Sequence, residues 1–256
     1  MDLTDYRASP SEQQRTADLV RLMPTSGRHA LDIGARDGHF SLLMAERFDD
    51  VIALDLTAPS IAHSKIKCHQ GNAAEMEFAD KTFDFVFCAE VLEHVPTDML
   101  RKVCREIERV ANHRILIGVP YKQDIRVGRT TCHSCGKPNP PWGHVNTFDE
   151  DFIKELFQSC EVEAMSFVGV NTARTNTLST LLMDFSGNPY GTYDQEEPCI
   201  YCGRHISPPP KRNIAQLVAT KLAFFARKAS EYTATPRGNW IHIVLRKVND
   251  VKVDDV

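Results

Sequence analysis

The chain has 256 residues, of which 42% are hydrophobic and 25% are charged, as is typical of a folded globular protein. This composition excludes an intrinsically disordered chain, collagen and a coiled coil. The net charge of −4 gives the molecule no overall field that attracts nucleic acid or anionic lipid, so any such attraction must be local. Residues 1–5 are polar and acidic, and no apolar run reaches the roughly 18 residues of a membrane span. We therefore expect a cytoplasmic protein with no secretory signal and no transmembrane segment.

Short apolar runs alternate with helical patterns along the first half of the chain. We predict strands at residues 30–33, 51–55, 66–69, 83–88 and 114–119, and helices at residues 40–48 and 97–110. Further along we predict a helix at 149–159, a strand at 162–170, an amphipathic helix at about 214–230 and a final strand at 240–245. Alternation of this kind predicts a parallel sheet that is covered by helices on both faces.

Two irregular stretches, rich in Gly, Pro and Cys, interrupt the second half of this pattern and are interpreted as insertions into one α/β sheet. The predicted division is 1–120 for the first half of the sheet domain, 121–147 for the first insertion, 148–170 for a helix and strand of the core, 171–236 for the second insertion, 237–248 for the last core strand and 249–256 for a polar tail. The second insertion includes the amphipathic helix.

A glycine-containing loop, residues 34–38, follows the first predicted strand and precedes a predicted helix. Glycine lets the backbone turn sharply and approach a ligand closely, and the N–H groups at a helix start favour polar or anionic ligand atoms. Asp55 ends the next strand about 20 residues later, where an acidic side chain binds ribose hydroxyls in doubly wound folds. A dehydrogenase is disfavoured, because GARDGH at 34–39 does not supply the Gly-x-Gly-x-x-Gly of a pyrophosphate site.

Four stretches together resemble the class I S-adenosylmethionine-dependent methyltransferases. They are residues 31–41, 51–55, 71–73 and 83–95, and the last, FDFVFCAEVLEHV, is the most specific. The resemblance covers roughly residues 25–170 and the last strand. It implies an α/β fold with a doubly wound, mostly parallel seven-stranded methyltransferase sheet, and S-adenosylmethionine as cofactor.

The resemblance also implies which residues bind that cofactor. The residues implied around its methionine part are Asp32, Gly34, Ala35 and Gly38. Asp55 and the adjacent Leu56 are implied at the ribose, Asn72 and Ala73 at the adenine, and Glu90 along the cofactor's edge.

Two positions depart from the pattern of the family. Asn72 stands where the family usually has aspartate, and its side-chain oxygen can still accept a hydrogen bond from the adenine amino group. Arg36 stands where the family usually has a glycine, and it would bring a cation near the cationic sulfonium unless its side chain points to solvent.

Two cysteine hairpins, CHSCGK at 132–137 and CIYCGR at 199–204, share one pattern and lie in the two insertions. Each hairpin places two sulfurs on one side of a tight turn, and two hairpins complete a tetrahedral zinc site without an open position. We therefore predict one structural zinc ion that holds the two zinc-clasped insertions together, with free cysteines or a redox pair as alternatives. The predicted ligands are Cys132, Cys135, Cys199 and Cys202. The other cysteines lie in apolar segments and are predicted to be core residues: Cys68, Cys88, Cys104 and Cys160.

Methyl transfer to a hydroxyl is helped by a base, and ligands bind in such sheets near the carboxyl ends of the strands. The candidates in these regions are His94, His144, Glu90 and Tyr121. His144, in the first insertion, is the preferred base, and His94 is the second candidate. The alternative for His94 is a histidine that only satisfies neighbouring backbone groups.

Both insertions are basic although the protein is acidic. Residues 198–230 contain six Lys or Arg and no Asp or Glu, and residues 121–147 contain four against one Asp. Two basic insertions joined by a metal near an active site favour an anionic acceptor. We predict methylation, most plausibly at oxygen, of a small or glycan-like acceptor, with no nucleic acid partner and with no prediction of oligomeric state. The alternatives are an RNA base methyltransferase with a zinc knuckle and a binding protein that kept the fold without catalysis.

Overall fold

Seven strands form one mixed sheet in a computed structural model that describes residues 7–248. The strands are β1 (Gly27–Ile33), β2 (Phe48–Asp55), β3 (Ile66–Gln70), β4 (Phe83–Ala89), β5 (Ala111–Pro120), β8 (Cys160–Val168) and β9 (Trp240–Lys247). Their order is β3-β2-β1-β4-β5-β9-β8. Strands β1 to β5 pair in parallel, whereas β9 is antiparallel to both of its neighbours. The prediction of a mostly parallel seven-stranded α/β sheet is confirmed.

Six α-helices are described within residues 7–248, together with a short 3-10 turn at Pro141–Gly143. They are α1 (Pro10–Leu22), α2 (His39–Ala45), α3 (Leu100–Val110), α4 (Glu150–Leu156), α5 (Thr177–Phe185) and α6 (Ile214–Tyr232). Two further strands, β6 (Thr130–Thr131) and β7 (Pro138–Asn139), pair in a separate ribbon. Between residues 7 and 248, no helix combines the length and the apolar character that crossing a bilayer requires.

The chain divides into two compact units. Of the described residues, unit 1 comprises 7–121, Phe148–Gly169 and 240–248, and it contains the seven-stranded sheet. Unit 2 comprises Lys122–Thr147 and Val170–Asn239, and it contains the β6-β7 ribbon with α5 and α6.

The core of unit 1 lies on both sides of the sheet, because the parallel strands carry nearly continuous apolar runs. All residues of β1 from Ala30 onward are buried, and so are five of the seven residues of β4. Phe48 stacks on Phe85 with 5.5 Å between ring centroids, which joins β2 to β4 across β1. The sheet therefore provides the rigid support for the loops at its carboxyl edge.

Several predicted boundaries need correction. The helix predicted at 40–48 ends at Ala45, since Phe48 already belongs to β2 and is buried against Phe85. The strand predicted at 162–170 is Cys160–Val168, where the pairing with β9 fixes its ends. The helix predicted at 97–110 begins at Leu100, and the helix predicted at 149–159 spans Glu150–Leu156 with Asp149 as its N-cap.

Two helices and one cysteine contradict the predictions more strongly. Helix α1 was not predicted, and α5 lies inside the stretch 171–210 that we interpreted as irregular. Cys68 is not a core residue: it is exposed on β3, which is the edge strand of the sheet. Cys88 and Cys104 are buried as predicted.

Candidate functional site

The loop between β1 and α2 turns sharply because two of its residues are glycines with left-handed backbone angles. The φ angles are +79° at Gly34 and +82° at Gly38. A Cβ atom at Gly34 would overlap the side chain of Val91, and one at Gly38 would overlap Ile61. The N–H of Gly34 donates to the carbonyl of Leu54 at 2.8 Å, which ties the loop to the end of β2. The chain therefore needs glycine at both positions.

Arg36 occupies the centre of this loop with a φ of +47°, in the region where glycine is favoured. Its backbone N–H donates to Oδ2 of Asp55 at 3.0 Å. The side chain of Arg36 is exposed, so the guanidinium extends into solvent. The departure from the family pattern thus costs backbone strain and does not bury a cation in the loop.

Asp55 lies at the carboxyl end of β2 and is half-buried. Oδ2 accepts the N–H of Arg36 at 3.0 Å, and Oδ1 accepts the N–H of Thr57 at 3.2 Å. A carboxylate has about four acceptor positions, so these two bonds orient the group and leave acceptor capacity for hydroxyls. Leu56, the next residue, is exposed.

The turn after β3 contains the residues predicted to face adenine. The N–H of Gly71 donates to the carbonyl of Asp55 at 2.9 Å, so this turn lies against the end of β2. Oδ1 of Asn72 accepts the N–H of Ala74 at 2.9 Å, which is a local turn stabilised by the side chain. Ala73 is half-buried against the core. The structure therefore brings Asp55 and Asn72 to neighbouring turns of one sheet edge.

Asp32 is buried at the end of β1. The hydroxyl of Ser41 donates to its Oδ2 at 2.5 Å. Burial raises the pKa of Asp32 to about 7; the Ser41 hydrogen bond opposes this rise, and the charge of Asp55 adds to it. The carboxyl group therefore changes its protonation near neutral pH.

Glu90 follows β4 and has a left-handed φ of +56°. Its backbone N–H donates to the carbonyl of Gly118 at 2.9 Å, so the turn is attached to β5. Burial raises the pKa of its carboxyl group, while the nearby Arg15 and a hydrogen bond from Trp240 lower it. Oε1 of Glu90 lies 3.8 Å from Nη1 of Arg15.

A buried ion pair on α1 was not predicted. Arg15 donates to both carboxylate oxygens of Glu12, at 2.7 and 2.5 Å, and both side chains are buried. The guanidinium carbon lies 5.7 Å from the ring centre of Phe40 and 5.9 Å from that of Trp240, within the range of cation–π attraction. The start of this helix could have been predicted from the sequence SPSE at residues 9–12. Ser9 is the N-cap, Pro10 starts the helix and Glu12 is the third helical residue.

The turn after Glu90 contains a second unpredicted carboxyl group. Glu93 is fully buried, and neither of its carboxylate oxygens has a hydrogen-bond partner among residues 7–248. Burial, and then the charge of Glu90, raise the pKa of Glu93 well above its ordinary value. His94, the second base candidate, is exposed, and its backbone N–H donates to the carbonyl of Val91 at 3.0 Å.

The remaining base candidates lie in different units. In unit 1, the hydroxyl of Tyr121 donates to Oε1 of Glu150 at 2.7 Å. In unit 2, His144 is buried, and its Nδ1 lies 2.7 Å from Oε1 of Gln123. This contact with Gln123 orients the imidazole ring of His144.

The two cysteine hairpins of unit 2 have the same local geometry. In the first, the N–H of Gly136 donates to the carbonyl of Cys132 at 2.7 Å; in the second, the N–H of Gly203 donates to the carbonyl of Cys199 at 2.8 Å. Both glycines have left-handed φ angles, +73° and +69°. The pattern Cys-x-x-Cys-Gly thus folds into the same turn twice.

The two hairpins meet, and their four sulfurs lie within 4.8 Å of one another. The Sγ atoms of Cys132 and Cys202 are 3.7 Å apart, and so are those of Cys135 and Cys199. These distances exceed the roughly 2.0 Å of a disulfide. Sulfurs at about 2.3 Å from one tetrahedral ion are about 3.8 Å apart, so the cluster has the size of a thiolate metal site.

The surroundings act differently on the thiols of this cluster. Burial raises the pKa of Cys199, but the backbone N–H groups of Tyr201 and Cys202 and the side chain of Asn139 lower it to about 6. For Cys202, the backbone N–H of Arg204 lowers the pKa, but burial and the neighbouring thiols raise it to about 11. Oδ1 of Asn139 also accepts the N–H of Ile200 at 2.9 Å, which connects the ribbon to the second hairpin.

A pocket with a volume of about 40 Å³ lies elsewhere in unit 2. Three of its lining residues are arginines, and each is paired with an acid: Arg126 with Asp124, Arg129 with Asp184 and Arg227 with Glu231. Tyr190 and Phe224 add an aromatic wall, with ring centres 5.2 Å apart. The pocket therefore combines guanidinium groups held in place by acids with an apolar surface.

Residues 31–114 match the sequence profile of a family described as "Methyltransferase domain". Over these residues, the chain is similar to methyltransferase domains. This match includes the glycine loop, Asp55 and the turn after β4, and it supports the predicted class, an S-adenosylmethionine-dependent methyltransferase domain.

Two curated relatives are similar to about a third of the chain. The uncharacterised methyltransferase YcgJ of Bacillus subtilis is 33% identical over 90 residues, which are 31% of this chain and 35% of YcgJ. A ubiquinone biosynthesis O-methyltransferase of Acinetobacter baumannii is 26% identical over 100 residues, which are 34% of this chain and 42% of that enzyme. The chain thus spans well under half the length of the curated relatives it matches.

A solved structure resembles the chain over a greater length. N-methyltransferase NodS from Bradyrhizobium japonicum, determined in complex with S-adenosyl-L-homocysteine, has a TM-score of 0.55 and 14% identity, and the match covers 97% of this chain and 93% of NodS. At this identity, the likeness shows a shared fold. The methyltransferase fold predicted from the sequence is confirmed.

Proposed function

We propose that the protein transfers a methyl group from S-adenosylmethionine to a hydroxyl oxygen of a small or glycan-like, anionic acceptor. The observation that carries the proposal is the glycine loop beside Asp55, whose carboxylate is oriented by two backbone N–H groups and retains acceptor capacity. The match of residues 31–114 to a methyltransferase domain supports it independently.

The residues at this edge of the sheet fit the proposed cofactor. Gly34 and Gly38 allow the loop its sharp turn, because a Cβ at either position would overlap Val91 or Ile61, and Asp55 would bind the ribose hydroxyls. Asp32 and Glu90 supply carboxyl groups, which favour the positive charges of the sulfonium and the amino group. Asn72 and Ala73 would face the adenine, Ala35 would line the methionine part and Leu56 would lie at the ribose. Bound S-adenosylmethionine supplies an electrophilic methyl group.

His144 is the residue that we propose as general base. Its Nδ1 lies 2.7 Å from Oε1 of Gln123, a contact that orients the ring before an acceptor binds. An oriented neutral imidazole can take the proton that an acceptor hydroxyl loses during methylation. His94 is the second candidate for this role.

The charge of unit 2 supports an anionic acceptor. Three arginines line its pocket, and each is paired with a carboxylate, so the pocket itself adds little net positive charge. Residues 198–230 add six positive charges without an acid. The match to an O-methyltransferase of a small molecule favours oxygen as the methylated atom.

Zinc is the second cofactor that we propose, bound by Cys132, Cys135, Cys199 and Cys202. The support is the 3.7 Å spacing of the sulfurs and the two identical hairpins. Four thiolates complete a tetrahedral site, so the ion would be structural and would not bind substrate.

The proposed reaction is tested by the release of S-adenosylhomocysteine from S-adenosylmethionine in the presence of acceptors. Uronic acids, sugar phosphates and hydroxybenzoates would be compared with their neutral counterparts and with RNA. We expect turnover with anionic hydroxyl compounds, and we expect His144→Gln to lower kcat at least tenfold while the affinity for S-adenosylmethionine is unchanged. The matched control is His133→Gln, an exposed histidine next to Cys132.

Two results would contradict the proposal. Turnover only with RNA, with affinity that falls steeply with salt, would indicate the RNA base methyltransferase. Binding of S-adenosylmethionine with no turnover on any acceptor would favour a binding protein that has lost catalysis.

A further inference from the structure

Helices α5 and α6 of unit 2 expose several large apolar side chains to solvent. The residues of the two helices that are fully buried are small or polar: Ser179, Ala219, Thr220 and Ala223. On α5, Leu178, Leu181 and Phe185 are 60%, 62% and 59% exposed. A surface helix of a globular protein normally buries such residues and exposes polar ones.

The exposed side of α6 is a continuous stripe. Ile214, Phe225 and Tyr232 are 81%, 72% and 94% exposed, and Val218 and Leu222 are half-exposed. Positions 214, 218, 221, 225, 228 and 232 repeat at intervals of four and three residues, so they lie on one face of the helix. This face therefore contains aliphatic and aromatic residues together with the exposed lysines at 221 and 228.

The two helices pack against each other in an antiparallel pair. The side chain of Asn176, the N-cap of α5, donates to the carbonyl of Ala226 at 2.8 Å. At the other end, the hydroxyl of Ser186 donates to the carbonyl of Gln216 at 2.9 Å. These bonds fix both helices in unit 2, so the exposed residues belong to a folded pair of helices.

Charge decides what can cover this surface. No Asp or Glu occurs between residues 198 and 230, where six Lys or Arg lie. A second copy of the same face would bring Lys221 and Lys228 against lysines of its partner, and like charges at a seam are unfavourable. An anionic lipid surface takes both components: the apolar residues enter the acyl boundary and the lysines reach the headgroups.

We propose that α5 and α6 form a membrane-association surface that binds the interface of an anionic bilayer without crossing it. Exposed aromatic residues such as Phe225 and Tyr232 suit the headgroup region. The described helices are too short or too polar to span a bilayer, which agrees with a helix pair that lies on it. The inference concerns a surface of unit 2 and does not depend on the proposed methyl transfer.

The experiment is co-sedimentation of the full chain with vesicles of phosphatidylcholine alone and of phosphatidylcholine and phosphatidylglycerol in equal parts. We expect binding to the anionic vesicles and much weaker binding to the neutral ones. Replacing both Leu181 and Phe225 by Ser should weaken partitioning at least about tenfold on anionic vesicles. Replacing Lys221 and Lys228 by Gln should weaken it about fivefold per lysine at low salt, and little on neutral vesicles.

The matched control is Val170→Ser, because Val170 is 75% exposed in the same unit but lies outside both helices. It should bind vesicles like the parent. Each variant is first checked for an unchanged melting temperature and metal content. No binding of the parent to anionic vesicles, or equal binding of the Leu181→Ser and Phe225→Ser double variant, would overturn the proposal. A concentration-dependent dimer that this double variant dissociates would overturn it too, by showing an interface between copies.

Discussion

The two units of the molecule are stabilised in different ways. Unit 1 contains clusters of 26 and 14 buried apolar residues on the two faces of its sheet. In the described part of unit 2, the cluster around the cysteine hairpins has three buried members, Cys132, Cys199 and Ile206, with Tyr193 packed against them. Burial of apolar side chains therefore accounts for the stability of unit 1. Unit 2 needs other interactions to offset the conformational entropy that its residues lose on folding.

Side-chain hydrogen bonds supply some of these interactions in unit 2. The hydroxyl of Tyr193 accepts the N–H of Thr131 at 3.1 Å, and the side chain of Asn188 donates to the hydroxyl of Thr131 at 2.9 Å. Each such bond contributes only about 1 kcal/mol net. Because unit 1 has a large apolar core of its own, a metal at the cysteine cluster would stabilise unit 2 and leave unit 1 nearly unaffected.

Removal of the proposed metal should have the largest effect on this difference between the units. Structural zinc binding in small zinc peptides is worth roughly 10–16 kcal/mol, so a chelator or Cys199→Ser should abolish slow hydrogen exchange in unit 2. The amides to follow by mass spectrometry are those of Cys132, Gly136 and Gly203, which are hydrogen-bonded within the hairpins. Exchange in β1, β4 and β5 should not change.

The control for this experiment is Cys68→Ser, since Cys68 is exposed on β3 and lies outside the cluster. Elemental analysis of the parent should return about one zinc per chain. Absence of metal, or a disulfide between Cys132 and Cys135, would contradict the predicted zinc site.

Asp55→Ala tests the proposed binding of the cofactor by unit 1. Loss of the carboxylate that would bind the ribose hydroxyls should weaken binding of S-adenosylmethionine by roughly 2–4 kcal/mol, if each charged hydrogen bond is worth ~1.5–3 and water replaces part of it. Titration calorimetry measures the effect, and Asp49→Asn on the same strand, where Asp49 is exposed, is the control. Hydrogen exchange in unit 2 should be unchanged. An unchanged affinity in Asp55→Ala would refute the placement of the ribose.

Some of the features behind these predictions can be recognised in the sequence, and others cannot. Strands such as β4 were predicted because buried parallel strands have continuous apolar runs. Helices α1 and α5 were missed because their buried positions hold Glu12, Arg15 and Ser179, so that the apolar period gives no signal for a core-facing helix. Helix propensity and the spacing of apolar residues describe an isolated helix. In α1 and α5, the elements that pack against the helix decide which face is buried.

The candidate site shows the same contrast. Gly34, Gly38 and Asp55 were selected from local spacing, because a turn and a strand end have local signatures. The contact of Arg15 with Glu90 joins residues that are far apart in the chain, and no local pattern encodes it. The Cys-x-x-Cys-Gly pattern predicts each hairpin, whereas the meeting of the two hairpins depends on the folding of all of unit 2.

The pH dependence of unit 1 gives a smaller effect. Since burial raises the folded-state pKa of Asp32 from 3.8 to about 7, the native state binds more protons than the unfolded chain between these values. The free energy of unfolding should therefore fall as pH rises through this window, by on the order of 1–3 kcal/mol between pH ~5 and ~8. Urea unfolding of the parent and of Asp32→Asn measures it, and the asparagine variant should lack this component. A difference between the two proteins that does not vary with pH would contradict the buried ionisable carboxyl group.

The smallest expected effect concerns the strained loop. Arg36→Gly relieves a left-handed φ of +47° and should raise the free energy of unfolding of unit 1 by about 0.5–1 kcal/mol, after the entropy of glycine is subtracted. Thermal unfolding checks this, with Arg28→Gly in β1 as a control that should destabilise. Because the Arg36 side chain is exposed, affinity for S-adenosylmethionine should stay within about twofold.

Our central proposal is that the glycine loop and Asp55 of unit 1 bind S-adenosylmethionine without help from the metal proposed for unit 2. Its most direct test is calorimetric titration of S-adenosylmethionine into the protein before and after zinc is removed by a chelator. We predict one binding site per chain, with an affinity that changes by less than about threefold when hydrogen exchange shows that unit 2 has unfolded. No heat of binding at high micromolar ligand, or binding that disappears with the metal, would contradict the account.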